Sequence, residues 1–352
     1  MLKALTLETG LLVLGRYPVE RLARLTQLAE WVGYDYLWHA DERFFREVYA
    51  SLAFCALQTM RIQLGTCVTD PYSRHPALTA MAVATLDEIS GARAVLGIGA
   101  GVSGFAELGI ARARSAQAIR EAILLIRRLW SGEQVTFDGE VIRFRDGKLA
   151  FAPPRQAIPI LVASHSPRGL AVAGEVADLA MMQGVATPTG VAYLREHVGR
   201  GMDRAGRPAG SVKLIARLNT CIAADARQAK DVMRPTVVRT LIAEQPTFRQ
   251  LAAAGIRVPE ALAAKVKTLG YTHDPAVLAS LAPEIPDAFV DALSLAGTVA
   301  DVAARVEALA RAGADQVTIY PLAVTDDDVE GTVRTFAEQV MPQVRRALRN
   351  YE

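Results

Sequence analysis

One repeated unit constrains this chain more than any other feature: a short apolar strand followed by a helix. Strands are expected at 3–9, 34–40, 61–68, 93–101, 158–164, 177–184, 212–223 and 315–321, either alternating or continuously apolar and bounded by turn residues. Each is followed by a helical stretch. In the first, 19–33, Leu22, Leu25, Leu28, Ala29 and Val32 recur on one face, and Pro18 stands at the start, where its missing N–H costs nothing. Parallel strands need a crossover connection, so strict alternation demands a parallel sheet. Eight repeats favour an α/β fold of the closed (β/α)8 TIM-barrel type, with an open doubly wound sheet as the alternative.

Two stretches interrupt the repeat. Residues 134–151 form two alternating runs either side of Asp138-Gly139, the pattern of a small hairpin. Residues 225–296 are helical with no strand expected, and Pro235, Pro246, Pro259, Pro275, Pro283 and Pro286 cut them into short pieces. This second stretch is expected to be a helical insertion before the last strand, covering one face of the barrel. No linker rich in Pro, Gly and Ser divides the chain, so residues 1–352 are expected to form a single domain.

Composition excludes several functions. Hydrophobic residues are 51% and charged residues 22%, enough apolar material for a large core. A formal net charge of +2 gives no reason to expect nucleic acid or an anionic membrane as partner. The apolar runs fall well short of the ~20 residues a spanning helix needs, and the N-terminus lacks a signal-peptide pattern. Cys55, Cys67 and Cys221 are too scattered for a disulfide framework or a zinc site, so a cytoplasmic, reducing setting is expected. Histidines 39, 75, 165, 197 and 273 show no metal-ligand spacing, and no serine sits in a G-x-S-x-G elbow. No metal site and no acyl hydrolase are expected.

A (β/α)8 barrel places its site at the C-terminal strand ends. The candidates are therefore Glu8; His39, Asp41 and Glu42; Cys67, Val68, Thr69 and Asp70 with Arg74 and His75; Gly99, Ala100 and Gly101; Ser164, His165, Ser166, Pro167 and Arg168; Met182 to Gly184; Asn219; and Tyr320. Gly99 to Gly104 formally satisfy G-x-G-x-x-G, with Glu121 at a suitable distance. That fingerprint belongs to the first unit of a dinucleotide domain, and three units precede this one. Ser164 to Gly169 read two ways: as a phosphate cradle at a helix N-terminus, or as a plain cap by Ser166 with Pro167 at the first position. The charged and aromatic run 39–45 suits a pocket for a planar ligand; the alternative is a loop in which Asp41 pairs with Arg43 or Arg46. Glu8, if interior and ionised, requires a partner.

Three stretches carry a family likeness: LGTCVTDPYSRHPALTA (64–80), DEISGARAVLGIGAG (87–101) and VASHSPRGLAVAGEVADLAMMQG (162–184). Together they resemble the bacterial luciferase-like superfamily of flavin and deazaflavin oxidoreductases. Within it, the chain is most similar to the methylenetetrahydromethanopterin reductase-like branch, which uses coenzyme F-420. The resemblance implies a (β/α)8 barrel and a non-proline cis peptide, here between Cys67 and Val68, in a bulge behind the cofactor ring. It implies that Thr69 and Asp70 line the ring pocket, that Gly99, Ala100 and Gly101 face the ring or its side chain, and that Ser164, His165, Ser166 and Pro167 hold a phosphate. Gly184 joins the expected cofactor-binding set. Asp41 would lie near the reactive edge, and Asp41, Glu42 or Glu8 would exchange the proton that accompanies hydride transfer. The chain departs from many relatives at Glu42, where they carry histidine, and at Val102, where several carry an acid. The implied activity is hydride transfer between reduced F-420 and a small organic substrate, by a homo-oligomer. An FMN-dependent monooxygenase on the same fold is the alternative, and a cofactor-free binding barrel is a third reading.

Overall fold

In the computed structural model, residues 7–101, 103–270, 272, 274–325 and 328–350 are described. Among them, nine strands share one sheet: β1 (Glu8–Leu14), β2 (Tyr36–Ala40), β3 (Gln63–Thr66), β4 (Ala94–Ile98), β7 (Ile160–Ala163), β8 (Leu179–Gln183), β9 (Lys213–Ile222), β10 (Ser294–Gly297) and β11 (Gln316–Leu322). β5 (Val135–Asp138) and β6 (Arg143–Gly147) form a separate antiparallel pair. The hydrogen-bonded order is β10-β9-β11-β1-β2-β3-β4-β7-β8, and β9 also pairs with β8, so the sheet closes. Eight of its strands, all but β10, are the staves of a (β/α)8 barrel. Helices follow in the expected places, for example Val19–Val32, Pro76–Ser90, Ser115–Trp130 and Pro167–Val176.

Two expectations about strands are corrected. The first strand was expected at 3–9, a segment mostly outside the described residues. The observed strand is Glu8–Leu14, because Leu11, Leu12 and Val13 form a continuous apolar run that is buried in the parallel sheet. It pairs in register with β2 from Gly10↔Tyr36 to Leu14↔Ala40. The region 225–296 is not strandless either: Ser294–Gly297 pairs in parallel with Asn219–Ile222 of β9. His273 and the start of the last expected helix, at 326 and 327, lie outside the described residues.

The hairpin forms where expected, with Asp138 opposite Arg143. Its turn is held from the helix Ser115–Trp130. There the buried Glu121 carboxylate accepts from the backbone N–H groups of Glu140, Val141 and Ile142 at 2.8, 2.9 and 2.8 Å. Glu121 is thus committed to the hairpin, which disposes of the ribose-binding role that its spacing from Gly99 suggested.

The chain forms two compact units. One holds Gly10–Met181 and Glu196–Lys213; the other holds residues up to Thr9, Met182–Arg195 and residues from Leu214 on. In the second unit, the insertion helices Ala226–Glu244, Arg249–Ala253, Glu260–Lys267, Pro275–Leu281 and Asp287–Leu293 bury a core of their own, including Met233, Val238, Leu241, Val266 and Val290.

Candidate active site

In the first unit, the site is built on an irregularity between β3 and β4. The strands pair regularly up to Gly65↔Val95, and pairing resumes at Thr69↔Ile98. β3 therefore spends four residues where β4 spends three, which is a β-bulge with one extra residue. The peptide bond between Cys67 and Val68 within it is cis. Hydrogen bonds on both sides hold the bulge. Thr66 Oγ1 donates to the Gly97 carbonyl at 2.7 Å and accepts from its N–H at 2.9 Å. The Cys67 N–H donates to the His39 carbonyl at 2.7 Å, and the Gly99 N–H donates to the Thr69 carbonyl at 2.9 Å. A β-carbon on Gly97 would stand 1.8 Å from the Thr66 carbonyl oxygen, and one on Gly99 would stand 2.7 Å from Val68 Cγ2. Both glycines exist to admit the bulge. Cys67 and Val68 are half-buried, and Cys67 Sγ lies 3.5 Å from Met181 Sδ.

Asp70 is committed to protein partners. Its side chain is fully buried and is held by protein groups. Oδ1 accepts from the Tyr72 and Ser73 N–H groups at 2.7 and 2.8 Å, Oδ2 accepts from the Ser73 hydroxyl at 2.6 Å, and the same carboxylate pairs with Arg43. Asp70 thus serves as the anchor for Arg43. Arg43 in turn lies over the Phe105 ring at 4.4 Å and donates to the Asp41 carbonyl at 3.2 Å. Gly101 is half-buried with φ +66°, and a β-carbon there would sit 2.8 Å from the Phe105 ring. Its conformation and smallness seat Phe105. Ala100 beside it is half-buried, and Val102 lies outside the described residues.

Asp41 and Glu42 follow β2 and are half-buried. Burial pushes the Asp41 carboxyl up, while the Thr69 hydroxyl, Arg43 and Arg74 pull it down and Glu47 pushes it further up. The expected alternative, an Asp41–Arg43 ion pair, gives way to Arg43 pairing with Asp70. His39 is fully buried. Its Nδ1 is 3.0 Å from the Ala40 carbonyl, its Nε2 has no partner, and burial lowers its pKa to about 4.

At the end of β7, the Ser166 hydroxyl caps the helix Pro167–Val176 by accepting from the Gly169 N–H at 3.0 Å. Ser164 Oγ accepts from the Ser166 N–H at 3.1 Å and lies 3.3 Å from Ser166 Oγ. A β-carbon on Gly169 would fall 2.1 Å from Ser164 Oγ. Two hydroxyls and the helix N-terminus thus converge, with His165 half-buried and Pro167 and Arg168 exposed. The cap reading is realised, and the arrangement still offers the donors of an anion cradle.

Glu8 and Gly184 are among the expected site residues that fall in the second unit, with Met182, Asn219 and Tyr320. Glu8 opens β1 rather than following it, and its N–H donates to the Asp315 carbonyl at 2.9 Å, at the N-terminal start of the strand. Barrel chemistry sits at the other end. Gly184 is buried with φ +70°, and a β-carbon there would stand 2.2 Å from Gln250 Oε1, so its bareness serves Gln250. Among the described residues, no group of three or more His, Cys, Asp or Glu is arranged to hold a metal.

Sequence reasoning missed Tyr49 and Thr79. Both are buried, on the helices Val48–Ala56 and Pro76–Ser90; the Tyr49 hydroxyl interacts with those of Thr69 and Thr79, and Asp41 is close enough to act on it. A tyrosine or threonine inside an apolar helix carries no sequence signal of what its hydroxyl meets.

A family model described as luciferase-like monooxygenase matches residues 4–316. The chain belongs to the luciferase-like monooxygenase family. Among its relatives in that family, the 5,10-methylenetetrahydromethanopterin reductase of Archaeoglobus fulgidus is 32% identical over 321 residues, covering 91% of this chain and 94% of the relative. The F420-dependent glucose-6-phosphate dehydrogenase of Kineococcus radiotolerans is 30% identical, covering 92% and 93%. The structure of the coenzyme F420-dependent tetrahydromethanopterin reductase of Methanopyrus kandleri superposes with a TM-score of 0.84 at 25% identity, covering 96% of this chain and 99% of that one. These luciferase-like relatives agree with the barrel and with the resemblance seen in the sequence.

Proposed function

We propose that this chain is an F420-dependent oxidoreductase that transfers a hydride between the deazaflavin and a small organic substrate. The observation that carries the reading is the β3 bulge beside Gly99, in the same unit as the hydroxyl-lined helix start at Ser164–Ser166, in a chain whose relatives are F420-dependent enzymes. The residues present fit such a cofactor. Val68 and Gly99 form a narrow backing for a flat ring, and the Ser164 and Ser166 hydroxyls with the helix N-terminus suit its phosphate. When bound, the deazaflavin supplies or accepts the hydride.

The protein's own part is positioning and proton handling. The Asp41 carboxyl, pushed up by burial and held back by the Thr69 hydroxyl, is the group we assign to exchange a proton with substrate. Arg43, anchored on Asp70 and Phe105, fixes the backbone of the Asp41 loop. Glu42 is a second candidate for the proton; Glu8, at the far end of its strand, is not carried forward.

The cytoplasm as setting agrees with three free cysteines. Among the described residues, no helix is long and apolar enough to cross a membrane. A homo-oligomer is supported by apolar side chains left exposed on adjacent outer helices, including Phe54 (38%), Leu57 (71%), Leu78 (51%) and Met81 (44%).

Titration with F420 and, separately, FMN tests the reading. Trp38, packed over Gly65 of β3, is a built-in fluorescent reporter. Saturable quenching by F420, with weaker or no response to FMN, is the expected result. Saturation by FMN alone would move the chain to the monooxygenase chemistry, and no response to either would remove the proposal.

A further inference from the structure

In the first unit the hydroxyl of Tyr49, on the helix Val48–Ala56, interacts with two others: that of Thr69, after the bulge, and that of Thr79, on the helix Pro76–Ser90. All three residues are buried, and none of their hydroxyl oxygens makes a hydrogen bond of standard geometry. Buried polar groups are seldom left so, and three together call for an explanation. The Thr69 hydroxyl interacts with both the Asp41 carboxyl and the Tyr49 phenol, and the Thr79 hydroxyl interacts with the phenol. Apolar residues of similar shape would fill the space equally well, so packing does not account for the hydroxyls. We propose that Tyr49 is a positioning residue for the Asp41 carboxyl, acting through the Thr69 hydroxyl.

The direction of donation follows from the groups themselves. The phenol O–H donates to Thr69 Oγ1, the Thr69 O–H donates to the Asp41 carboxylate, and the Thr79 O–H donates to the phenol oxygen. Burial and the nearby Asp41 charge push the Tyr49 phenol far up, so it remains a donor across the working pH range. The relay stabilises the charged form of Asp41 and so opposes the burial that raises it. The other charged groups around the pair are Arg43 and Arg74, which favour the carboxylate, and Glu47, which opposes it. Arg74 lies over the Tyr49 ring at 4.8 Å and pairs with Glu47 at 2.8 Å, so the ring is fixed independently of its hydroxyl. Contacts of this kind are loose in an empty site and tighten when substrate arrives.

The inference rests on the reading of Asp41 as the proton-exchanging group, but its test does not. The full-length protein is labelled with 13C at aspartate carboxyls and titrated by NMR without ligand, D41N identifying the Asp41 resonance. In Tyr49→Phe, which keeps the ring and its Arg74 contact, the Asp41 midpoint should rise by about one pH unit, the net worth of one hydrogen bond. Thr69→Val should raise it as well, Thr69→Ser should restore it, and Tyr49→Phe added to Thr69→Val should add nothing. An unchanged Asp41 midpoint in Tyr49→Phe, or an additive shift in the double variant, overturns the proposal. Should Tyr49→Phe fail to fold, Thr79→Val gives the second arm: a smaller upward shift supports the chain of donors, and none overturns it. F420H2 oxidation by D41N, with 5,10-methylenetetrahydromethanopterin as probe acceptor, reports separately on the role of Asp41. Wild-type turnover there would remove that role while leaving the relay standing on the titration.

Discussion

Asp70→Asn is the most informative single perturbation of the site. The change keeps the shape of the side chain. Its amide oxygen can still accept from the Tyr72 and Ser73 N–H groups, which the carboxylate holds at 2.7 and 2.8 Å. What is lost is the negative charge opposite Arg43. The Asp70 side chain is fully buried and that of Arg43 is 9% exposed, so the remaining cation has little water to turn to. Removing one partner of such a pair costs about 3–5 kcal/mol. The Phe105 ring, 4.4 Å from the guanidinium, and the Ser73 hydroxyl, 3.1 Å away, offset part of this, so the lower end is expected. Urea unfolding at neutral pH should show a loss near 3 kcal/mol with an unchanged m-value. Adding Arg43→Gln to Asp70→Asn should recover most of it, because no unpaired charge remains. A loss below about 1 kcal/mol in Asp70→Asn would refute the argument, because a pair this cheap to break is solvated like a surface pair.

Three further outcomes follow from the same geometry. Gly99→Ala places a β-carbon 2.7 Å from Val68 Cγ2. It should weaken F420 binding roughly ten- to hundredfold while the barrel persists, and wild-type affinity by fluorescence titration would show that the bulge does not back the ring. His39 has its pKa lowered from 6.5 to about 4, so the unfolded chain takes up its proton first as pH falls. Its contribution is complete above about pH 6.5 and is lost between there and pH 4, about 3 kcal/mol in all; His39→Asn should flatten that part of the stability–pH curve, and an unchanged slope would place the protonation elsewhere. Leu57→Lys, at a residue 71% exposed on the apolar outer face, should convert the expected oligomer to monomer by light scattering, and an unchanged mass would move the interface.

The alternation of strands and helices was legible because burial imposes it residue by residue, and it placed the glycine segment and the serine cap in their loops; the bulge was implied only by the family resemblance. Local chemistry was legible too: Ser166 capping with Pro167 behind it, and the Asp138-Gly139 hairpin, depend on neighbours in the chain. Glu8 was misplaced because the strand expected at 3–9 lies too early in the chain, and its true bounds are set by pairing with Tyr36–Ala40. The strand Ser294–Gly297 was missed because four small or apolar residues between helices carry no period of their own.

By itself, the sequence determined the barrel, its family and the segments from which the site is drawn, because patterning and local propensity are written in adjacent residues. Tertiary structure alone decided what each side chain does there. It gave Asp70 to Arg43 and Glu121 to a hairpin turn, and brought the Tyr49 hydroxyl to those of Thr69 and Thr79. Those assignments depend on which distant groups share a buried volume, and hydrogen bonds and charges cost too much to leave unmet there for the chain's linear order to predict their partners.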